Sequence, residues 1–377
     1  MEHSNQTTVL KPLFYEKFQC IADRCTYSCC QDWNIEVDNE TYHKYCSNPM
    51  IDSELFYQKE GSTYIKHTEA GCCSFLREDG LCSLIIQHGD NILSNTCTLF
   101  PRTFTQRDDG IEFSLSNTCL AVLETLLTLP TPLSFVIEED TLPEIFHGYD
   151  SVEQIPYRDL IIDILQTKDT AFWKRLFVME QFAGKVDMDK KHSDDYYDKY
   201  SNLSYLNALF QMLDAMPQPV SSKLQLSSSL FTYINGKADY YLGYRRYIQY
   251  LLPYVENPDW EQWTSLWSQF TSILASYDEF FENFCVNSMF RNGAVNLGEH
   301  SLHNKCMALI LEIAMIRFTL FLQWMSKDYH LSNVELIEIS CYYARIMEHN
   351  SKNVYQFIKE LKEAEFLSEA DLFLLLR

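Results

Sequence analysis

Thirteen cysteines are the residues of this chain whose type and spacing most directly predict chemistry. Ten of them fall between Cys20 and Cys119, and only Cys285, Cys306 and Cys341 lie beyond that range. Because thiols are kept reduced in the cytoplasm, a dense cysteine pattern there indicates metal binding or redox chemistry rather than a disulfide scaffold. The distribution therefore predicts a thiolate-bound metal centre in the N-terminal third, with the three remote cysteines as buried apolar residues.

The N-terminal cysteines come in closely spaced runs. These are Cys20-x4-Cys25-x3-Cys29-Cys30, then Cys72-Cys73 with Cys82 following, and finally the single residues Cys97 and Cys119. An iron–sulfur cluster is held by four thiolates, whereas a structural zinc site favours two short pairs. The dense first run favours an iron–sulfur cluster, with zinc and ordinary reduced core cysteines as alternatives. Cys46 stands apart as a packed thiol, and spacing alone does not select four ligands from the other nine.

The ligand segments must be positioned by short elements, because glycines at positions 71, 80 and 89 punctuate this region. The alternation from Asn34 to Asp38 predicts a short strand or extended turn, and Asp38 or Asn39 can cap a helix through Tyr45. Cys119 leads into an apolar segment that predicts another helix. The sequence thus predicts that the cysteine-rich region consists of loops between short irregular, strand or helical elements.

The rest of the chain has helical patterns. Residues 1–127 form the predicted cysteine-rich metal-binding domain, 128–157 a proline-containing connection, and 158–377 an all-helical domain, so the predicted fold class is mostly α. Ser332 with Glu335 is typical of a helix-capping box, Asn257 is the predicted cap of the tryptophan-rich helix, and residues 185–199 are a predicted loop.

The net charge and the hydropathy of the chain indicate which binding partners and which cellular compartment to expect. The net charge of −22 argues against nucleic acid or a membrane surface as the main partner and favours a basic, lysine-bearing protein segment. The alternative is that the excess of acidic residues only increases the solubility of the protein. No secretory signal precedes Lys17, and the apolar stretch from Met307 to Trp324 carries polar residues suited to a buried helix. We therefore expect a cytoplasmic protein.

The cysteine runs, with their neighbours, resemble the flagellin lysine N-methylase family, part of a wider group of cysteine-rich zinc- or iron-chelating proteins. The resemblance covers residues 14–123. It rests on Phe18-x-Cys20-x4-Cys25-x3-Cys29-Cys30-x2-Trp33-x-Ile35-x2-Asp38, on Cys73-Ser74-Phe75-Leu76 with Gly80-Leu81-Cys82, on Cys97-Thr98-Leu99-Phe100-Pro101-Arg102, and on Ser114 to Cys119.

The resemblance implies an enzyme that transfers methyl groups from S-adenosylmethionine to lysine side chains of flagellin and carries a [4Fe-4S] cluster. The cysteines within the resembling motifs become the candidate metal ligands: Cys20, Cys25, Cys29, Cys30, Cys73, Cys82, Cys97 and Cys119. Trp33 and Arg102 are the candidate cofactor-binding residues, one to shield a cluster and one to offset its charge or bind a carboxylate; a core tryptophan and a structural ion pair are the alternatives.

The glycine pattern agrees with part of this expectation, because no G-x-G sequence occurs and the usual dinucleotide-type methyltransferase loop is therefore missing. The alternative function is a non-enzymatic zinc- or iron-binding module with a helical protein-interaction domain, or a redox sensor. Binding of S-adenosylmethionine separates the enzyme from these alternatives.

Overall fold

The fold is mostly helical, and the strands of the described residues lie between Gln6 and Thr141, which confirms the predicted fold class. The computed structural model describes residues 6–107, 110–141, 157–217, 219–237, 248–292, 302–349, 351–363 and 368–376.

In the described part of the chain, seven strands form two small sheets. The strands are β1 Gln6–Pro12, β2 Glu36–Val37, β3 Phe56–Lys59, β4 Ser62–Ile65, β5 Arg102–Arg107, β6 Gly110–Leu115 and β7 Phe135–Thr141. One sheet has the order β5-β6-β1-β7, with β1 parallel to β6 and the other pairs antiparallel, and the second has the antiparallel order β2-β4-β3. Strand β7 lies in the predicted connection and pairs with β1 along seven residues.

Helices account for most of the remaining described residues. They are α1 Asn39–Ser47, α2 Ser83–His88, α3 Asn95–Leu99, α4 Leu120–Thr128, α5 Arg158–Leu165, α6 Phe172–Met188, α7 Ser193–Tyr200, α8 Leu203–Asp214, α9 Val220–Lys237, α10 Leu252–Glu256, α11 Trp260–Leu274, α12 Asp278–Asn292, α13 Leu302–Ser326, α14 Asn333–His349, α15 Ser351–Glu363 and α16 Glu369–Leu376. The domain boundaries themselves stay a prediction.

Local capping explains where several helices begin. The Asp38 side chain accepts a hydrogen bond from the Thr41 backbone N–H at 2.9 Å and so caps α1. Ser332 and Glu335 form the predicted capping box, because each side chain accepts a hydrogen bond from the other residue's backbone N–H. Both predicted starts are confirmed.

Two local predictions were wrong. The tryptophan-rich helix is capped by Asp259, which accepts a hydrogen bond from Gln262, and the predicted cap Asn257 ends the preceding helix instead. The predicted loop at 185–199 contains the end of α6 and most of α7. Amphipathic packing against the core stabilises these helices despite their charged residues.

Helix α13 is the centre of the helical core. It is long and apolar enough to cross a membrane, yet most of its side chains are buried inside the protein. It packs against α6, α9 and α14. A helix that is apolar on all faces needs partners on all faces, which confirms the prediction of a buried helix for Met307 to Trp324.

The cysteine-rich segment has a small core of its own, separate from the main one. Tyr45 stacks on Phe56 with ring centroids 5.4 Å apart, and Phe56 lies 5.9 Å from Phe75. Buried aliphatic residues of the three-stranded sheet complete this core, and Cys73 is part of it. A core this small gives the cysteine-rich segment little stability on its own.

Buried asparagines of α12 join the helical domain to the larger sheet. The Asn287 side-chain NH2 donates to the Leu115 carbonyl at 2.8 Å and to the Asn117 side chain at 2.7 Å. The Asn283 side chain donates to the carbonyls of Leu126 and Leu129. These bonds satisfy backbone groups where strand β6 passes into helix α4.

Replacing Asn287 by alanine is expected to lower the free energy of unfolding by about 2 kcal/mol, because two buried acceptors lose their donor. Urea unfolding followed by circular dichroism measures the change. The matched control is Asn207→Ala on an exposed face of α8, which should change stability by less than about 0.5 kcal/mol. Equal effects of the two changes would contradict the proposed role of Asn287.

Lys305 is a buried lysine whose ammonium has no hydrogen-bond partner among the described residues. Burial is the main cause that lowers its pKa from 10.5 to about 7, with Arg158 and Arg291 adding to the effect and Cys306 and Glu348 opposing it. Between about pH 7 and pH 10.5, Lys305 is therefore protonated in the unfolded chain but largely unprotonated in the folded chain. The resulting destabilisation is complete below pH 7 and fades as the pH rises towards 10.5.

Replacing Lys305 by methionine is expected to raise the free energy of unfolding by on the order of 2–4 kcal/mol at about pH 6, and by much less at about pH 10. Urea unfolding at several pH values measures this difference. The exposed Lys359→Met variant serves as the control and should show no such pH dependence. A gain for Lys305→Met that stayed constant with pH would contradict the titration of this lysine.

Candidate metal centre

Five cysteine side chains converge at the small core, and we call them the first thiol group: Cys29, Cys30, Cys73, Cys82 and Cys97. Cys30 lies at their centre, because the other four thiols all interact with it. The two cysteine pairs are brought together by backbone pairing, in which the Cys73 N–H donates to the Cys30 carbonyl at 2.7 Å. A bridge between Gln31 and Cys72 extends this pairing.

Short helices supply the other two thiols of the group. Cys82 directly precedes α2 as its N-cap residue, and Cys97 lies within α3. Asp38 fixes α1 against α3, because its carboxylate also accepts a hydrogen bond from the Asn95 N–H at 3.0 Å. Asp38, the capping residue predicted from the sequence, therefore also helps to position the candidate ligand Cys97 of α3.

The thiols of the first group differ in acidity. The pKa of Cys30 is lowered, mainly because its thiolate accepts hydrogen bonds from the thiols of Cys29 and Cys73. The same interactions raise the pKa of both donors, and burial raises it further. The positive charge of Arg345 also favours the Cys30 thiolate. The arrangement thus stabilises a thiolate at the centre of the group, and thiolates are the form that binds metals.

His67 is a further candidate ligand that the sequence analysis missed. Its Nε2 is buried without a hydrogen-bond partner among the described residues, while the ring donates to the Trp33 carbonyl through its other nitrogen. Burial lowers the pKa of this histidine, which favours the neutral imidazole. Metal-bound histidines typically use one nitrogen as ligand and donate the other to a carbonyl. A backbone bridge pairs His67 with Cys73, and the imidazole interacts with Cys30 of the first thiol group.

The two candidate cofactor-binding residues lie close to cysteines but make structural contacts. The Trp33 ring packs 5.5 Å from Phe100 and donates a hydrogen bond to the Cys29 carbonyl. The Arg102 guanidinium lies 5.0 Å from the centroid of the Phe18 ring, two residues before Cys20. A role in cofactor binding stays a prediction for both.

The eight predicted ligands do not converge on one point. Cys20, Cys25 and Cys119 interact with one another, and Cys25 and Cys119 also interact with Cys341 of helix α14. We call these four residues the second thiol group. Cys341 is fully buried, as predicted, but its proximity to N-terminal cysteines carries no signal in local spacing.

The remaining cysteines stand outside both groups. Cys285 and Cys306 are buried in the helical domain, as predicted. Cys46 is exposed, so the prediction that it is a packed thiol was wrong. The Cys72 thiol accepts a hydrogen bond from the Gln31 side chain at 3.7 Å, which leaves Cys73 as the member of that pair in the first thiol group.

The described residues contain one close cluster of possible metal-ligand atoms, and it consists of carboxylates and not of thiols. Among the described residues, which include all thirteen cysteines, no three cysteine sulfurs lie within 4.8 Å of one another. Three carboxylates do, those of Glu16, Glu138 and Asp140, but all three bind the buried Lys11 ammonium at 2.5–2.7 Å. The lysine ammonium therefore already occupies the space between these three carboxylates and offsets one of their charges.

A groove of about 390 Å³ lies apart from both thiol groups. Its walls come from β1, the start of β6, β7 and α5, and they include Phe135, Ile162 and Phe290 together with Arg158 and Asp163. No cysteine lines it. Its volume is within the usual range for small-molecule sites.

Comparison with known proteins finds a family model that matches the helical domain and related proteins that match part of the chain. Residues 158–375 match the family model described as the FliB lysine N-methylase C-terminal domain. The chain is 31% identical over 139 residues to the flagellar biosynthetic protein FliU of Salmonella muenchen, an alignment that covers 34% of this chain and 82% of that protein. No solved structure matches the chain.

The same identity over 139 residues is found with the lysine-N-methylases of Salmonella typhimurium and Salmonella choleraesuis. These alignments cover 34% of this chain and 35% of each of those proteins. The family model spans more than half of the present sequence. The chain therefore belongs to the FliB lysine N-methylase family.

Proposed function

We propose that this protein is a protein-lysine N-methyltransferase that uses S-adenosylmethionine and acts on flagellin. The observation that carries the proposal is the family match along the helical domain, residues 158–375. The names of the relatives, lysine-N-methylase and flagellar biosynthetic protein, agree with this reaction and with a flagellar substrate. Reduced thiols and the absence of a disulfide suit the cytoplasm as the site of action.

The proposal includes an iron–sulfur cluster held by the first thiol group. The thiols are too widely spaced for a closed tetrahedral zinc site, in which Zn–S bonds of about 2.3 Å hold the sulfurs roughly 3.8 Å apart. A cluster places several irons between its thiolates and suits wider spacing. The unpartnered Nε2 of His67 adds a second type of donor, an imidazole nitrogen, beside these thiols. When bound, such a cluster would supply iron for the binding of S-adenosylmethionine, and the cysteines of the first thiol group would hold it.

Charge favours a lysine-bearing substrate. With a net charge of −22, the chain attracts basic segments and raises their local concentration at its surface. The target lysine must lose its proton before its nitrogen can form a bond to the methyl carbon. In a direct displacement, the sulfur of the cofactor keeps the electron pair of the broken bond, and a carboxylate or tyrosine of the enzyme accepts the proton.

The test combines anaerobically purified full-length protein with S-adenosylmethionine and the flagellin of the same organism. Mass spectrometry of the flagellin should show lysines heavier by whole methyl increments, and S-adenosylhomocysteine should accumulate in equal amount. The control omits the cofactor. Flagellin that remains unmodified by metal-loaded protein would contradict the proposal and favour the alternative of a metal-binding interaction module.

A further inference from the structure

We infer that the second thiol group, Cys20, Cys25, Cys119 and Cys341, is a second metal site, separate from the first group. The group it would hold is a cluster of iron and sulfide, because no three of these sulfurs lie within the 4.8 Å of one another that a single zinc ion would require. The site would join the N-terminal region to helix α14 of the helical domain. This inference concerns metal content and does not depend on the methyl-transfer reaction.

Three segments that carry these cysteines meet at one buried arginine. The Arg345 guanidinium donates to the Tyr27 carbonyl at 2.9 Å and to the Thr118 carbonyl at 3.1 Å, and it lies 3.7 Å from the Tyr27 ring centroid. Cys25 is two residues before Tyr27, Cys119 follows Thr118, and Cys341 is one helical turn before Arg345. The arginine therefore fixes the backbone on both sides of the cysteines.

Hydrogen bonds to the backbone fix the positions of two of the sulfurs. The Cys341 thiol donates to the Thr118 carbonyl at 3.2 Å, beside Cys119. In the first loop, the Cys25 N–H donates to the Ala22 carbonyl, and the Ala22 N–H donates to the Cys20 sulfur at 3.5 Å. This tight turn, in which Ala22 has a positive φ of 48°, folds the loop so that Cys20 and Cys25 interact.

The chemistry and burial of the four side chains suit a metal. Four cysteine sulfurs are a complete ligand set for an iron–sulfur cluster. Cys25 and Cys119 are partly buried, Cys341 is fully buried and Cys20 is exposed, so the set extends from the core to the surface. The buried Arg345 guanidinium would offset part of the negative charge of a four-thiolate centre.

The two groups are physically distinct. Cys25 and Cys119 pack against the main core, whereas Cys30, Cys73, Cys82 and Cys97 belong to the small core of the cysteine-rich segment. Cys25 and Cys29 are four residues apart in sequence but face different groups. Arg345 lies between them, since it also donates to the Gln31 carbonyl at 3.3 Å.

The experiment measures iron, zinc and acid-labile sulfide in full-length protein purified without oxygen. Cys341→Ser and Cys20→Ser should each lose the metal of one centre and retain the metal of the other, whereas Cys73→Ser should show the complementary loss. Cys285→Ser, which changes another fully buried helical cysteine, should match the wild type. Iron and sulfide should be lost together from Cys20→Ser and Cys341→Ser, and a loss of zinc without sulfide would overturn the assignment of a cluster to the second site.

The exposed position of Cys20 makes its serine variant a test that does not depend on core packing, and circular dichroism confirms folding of each variant. Unchanged metal content in both Cys20→Ser and Cys341→Ser would overturn the inference. So would a complete loss of all metal in Cys20→Ser and in Cys73→Ser alike, because that result would mean that one shared centre uses both groups.

Discussion

Replacing Cys30 by serine is expected to remove the metal from the first thiol group and to reduce lysine methylation at least about 100-fold. Cys30 interacts with Cys29, Cys73, Cys82 and Cys97, so no other single thiol lies as centrally in the group. Serine keeps the backbone bond from Cys73 to the residue-30 carbonyl but offers a poor ligand for iron. Iron and sulfide content and the initial rate of flagellin methylation measure the two effects.

Cys46→Ser is the matched control, because Cys46 lies in the same region but is exposed and outside both thiol groups. This variant should keep the iron content and the methylation rate of the wild type. If Cys30→Ser methylated flagellin at the wild-type rate, the first thiol group could not be the centre on which the reaction depends.

The second large effect is expected from Arg345→Met, which should lower the free energy of unfolding by about 3 kcal/mol or more. The guanidinium serves three backbone carbonyls, those of Tyr27, Gln31 and Thr118, and each buried acceptor left unpaired destabilises the fold by about 1–3 kcal/mol. Methionine fills part of the volume but donates no hydrogen bond. Urea unfolding measures the loss, and metal analysis should show that the second thiol group is depleted.

Two further variants show whether the geometry of Arg345 matters. Arg77→Met removes a half-exposed arginine paired with Asp79 and should change stability by less than about 0.5 kcal/mol. Arg345→Lys keeps the charge but loses the planar set of donors, so it should fall between wild type and Arg345→Met. A lysine variant as stable as the wild type would show that charge alone explains the effect.

Local features of the fold could be predicted from the sequence because they depend on near neighbours. The cap at Asp38, the capping box at Ser332 and the buried helix α13 follow from short-range spacing and hydropathy. The concentration of cysteines in the N-terminal region could also be read directly from their positions in the sequence. These features depend on backbone hydrogen bonds and burial within a few turns.

The division of the cysteines into two groups could not be predicted, because it depends on contacts between distant segments. Cys341 reaches Cys119 only through the packing of α14 beside the start of α4, which the spacing of residues does not encode. His67 has no distinctive local motif, and its role emerges from the buried nitrogen beside Cys73. Strand β7 likewise depends on pairing with β1, more than a hundred residues earlier in the chain.

The most direct single measurement is the methylation of flagellin by anaerobically purified wild-type protein, with iron and sulfide quantified in the same samples as metal is progressively removed. We predict that methyl groups appear on flagellin lysines and that the rate falls in proportion to the iron content. Methylation at an undiminished rate by iron-free protein would contradict the role of the first thiol group, and its absence from iron-loaded protein would contradict the proposed reaction.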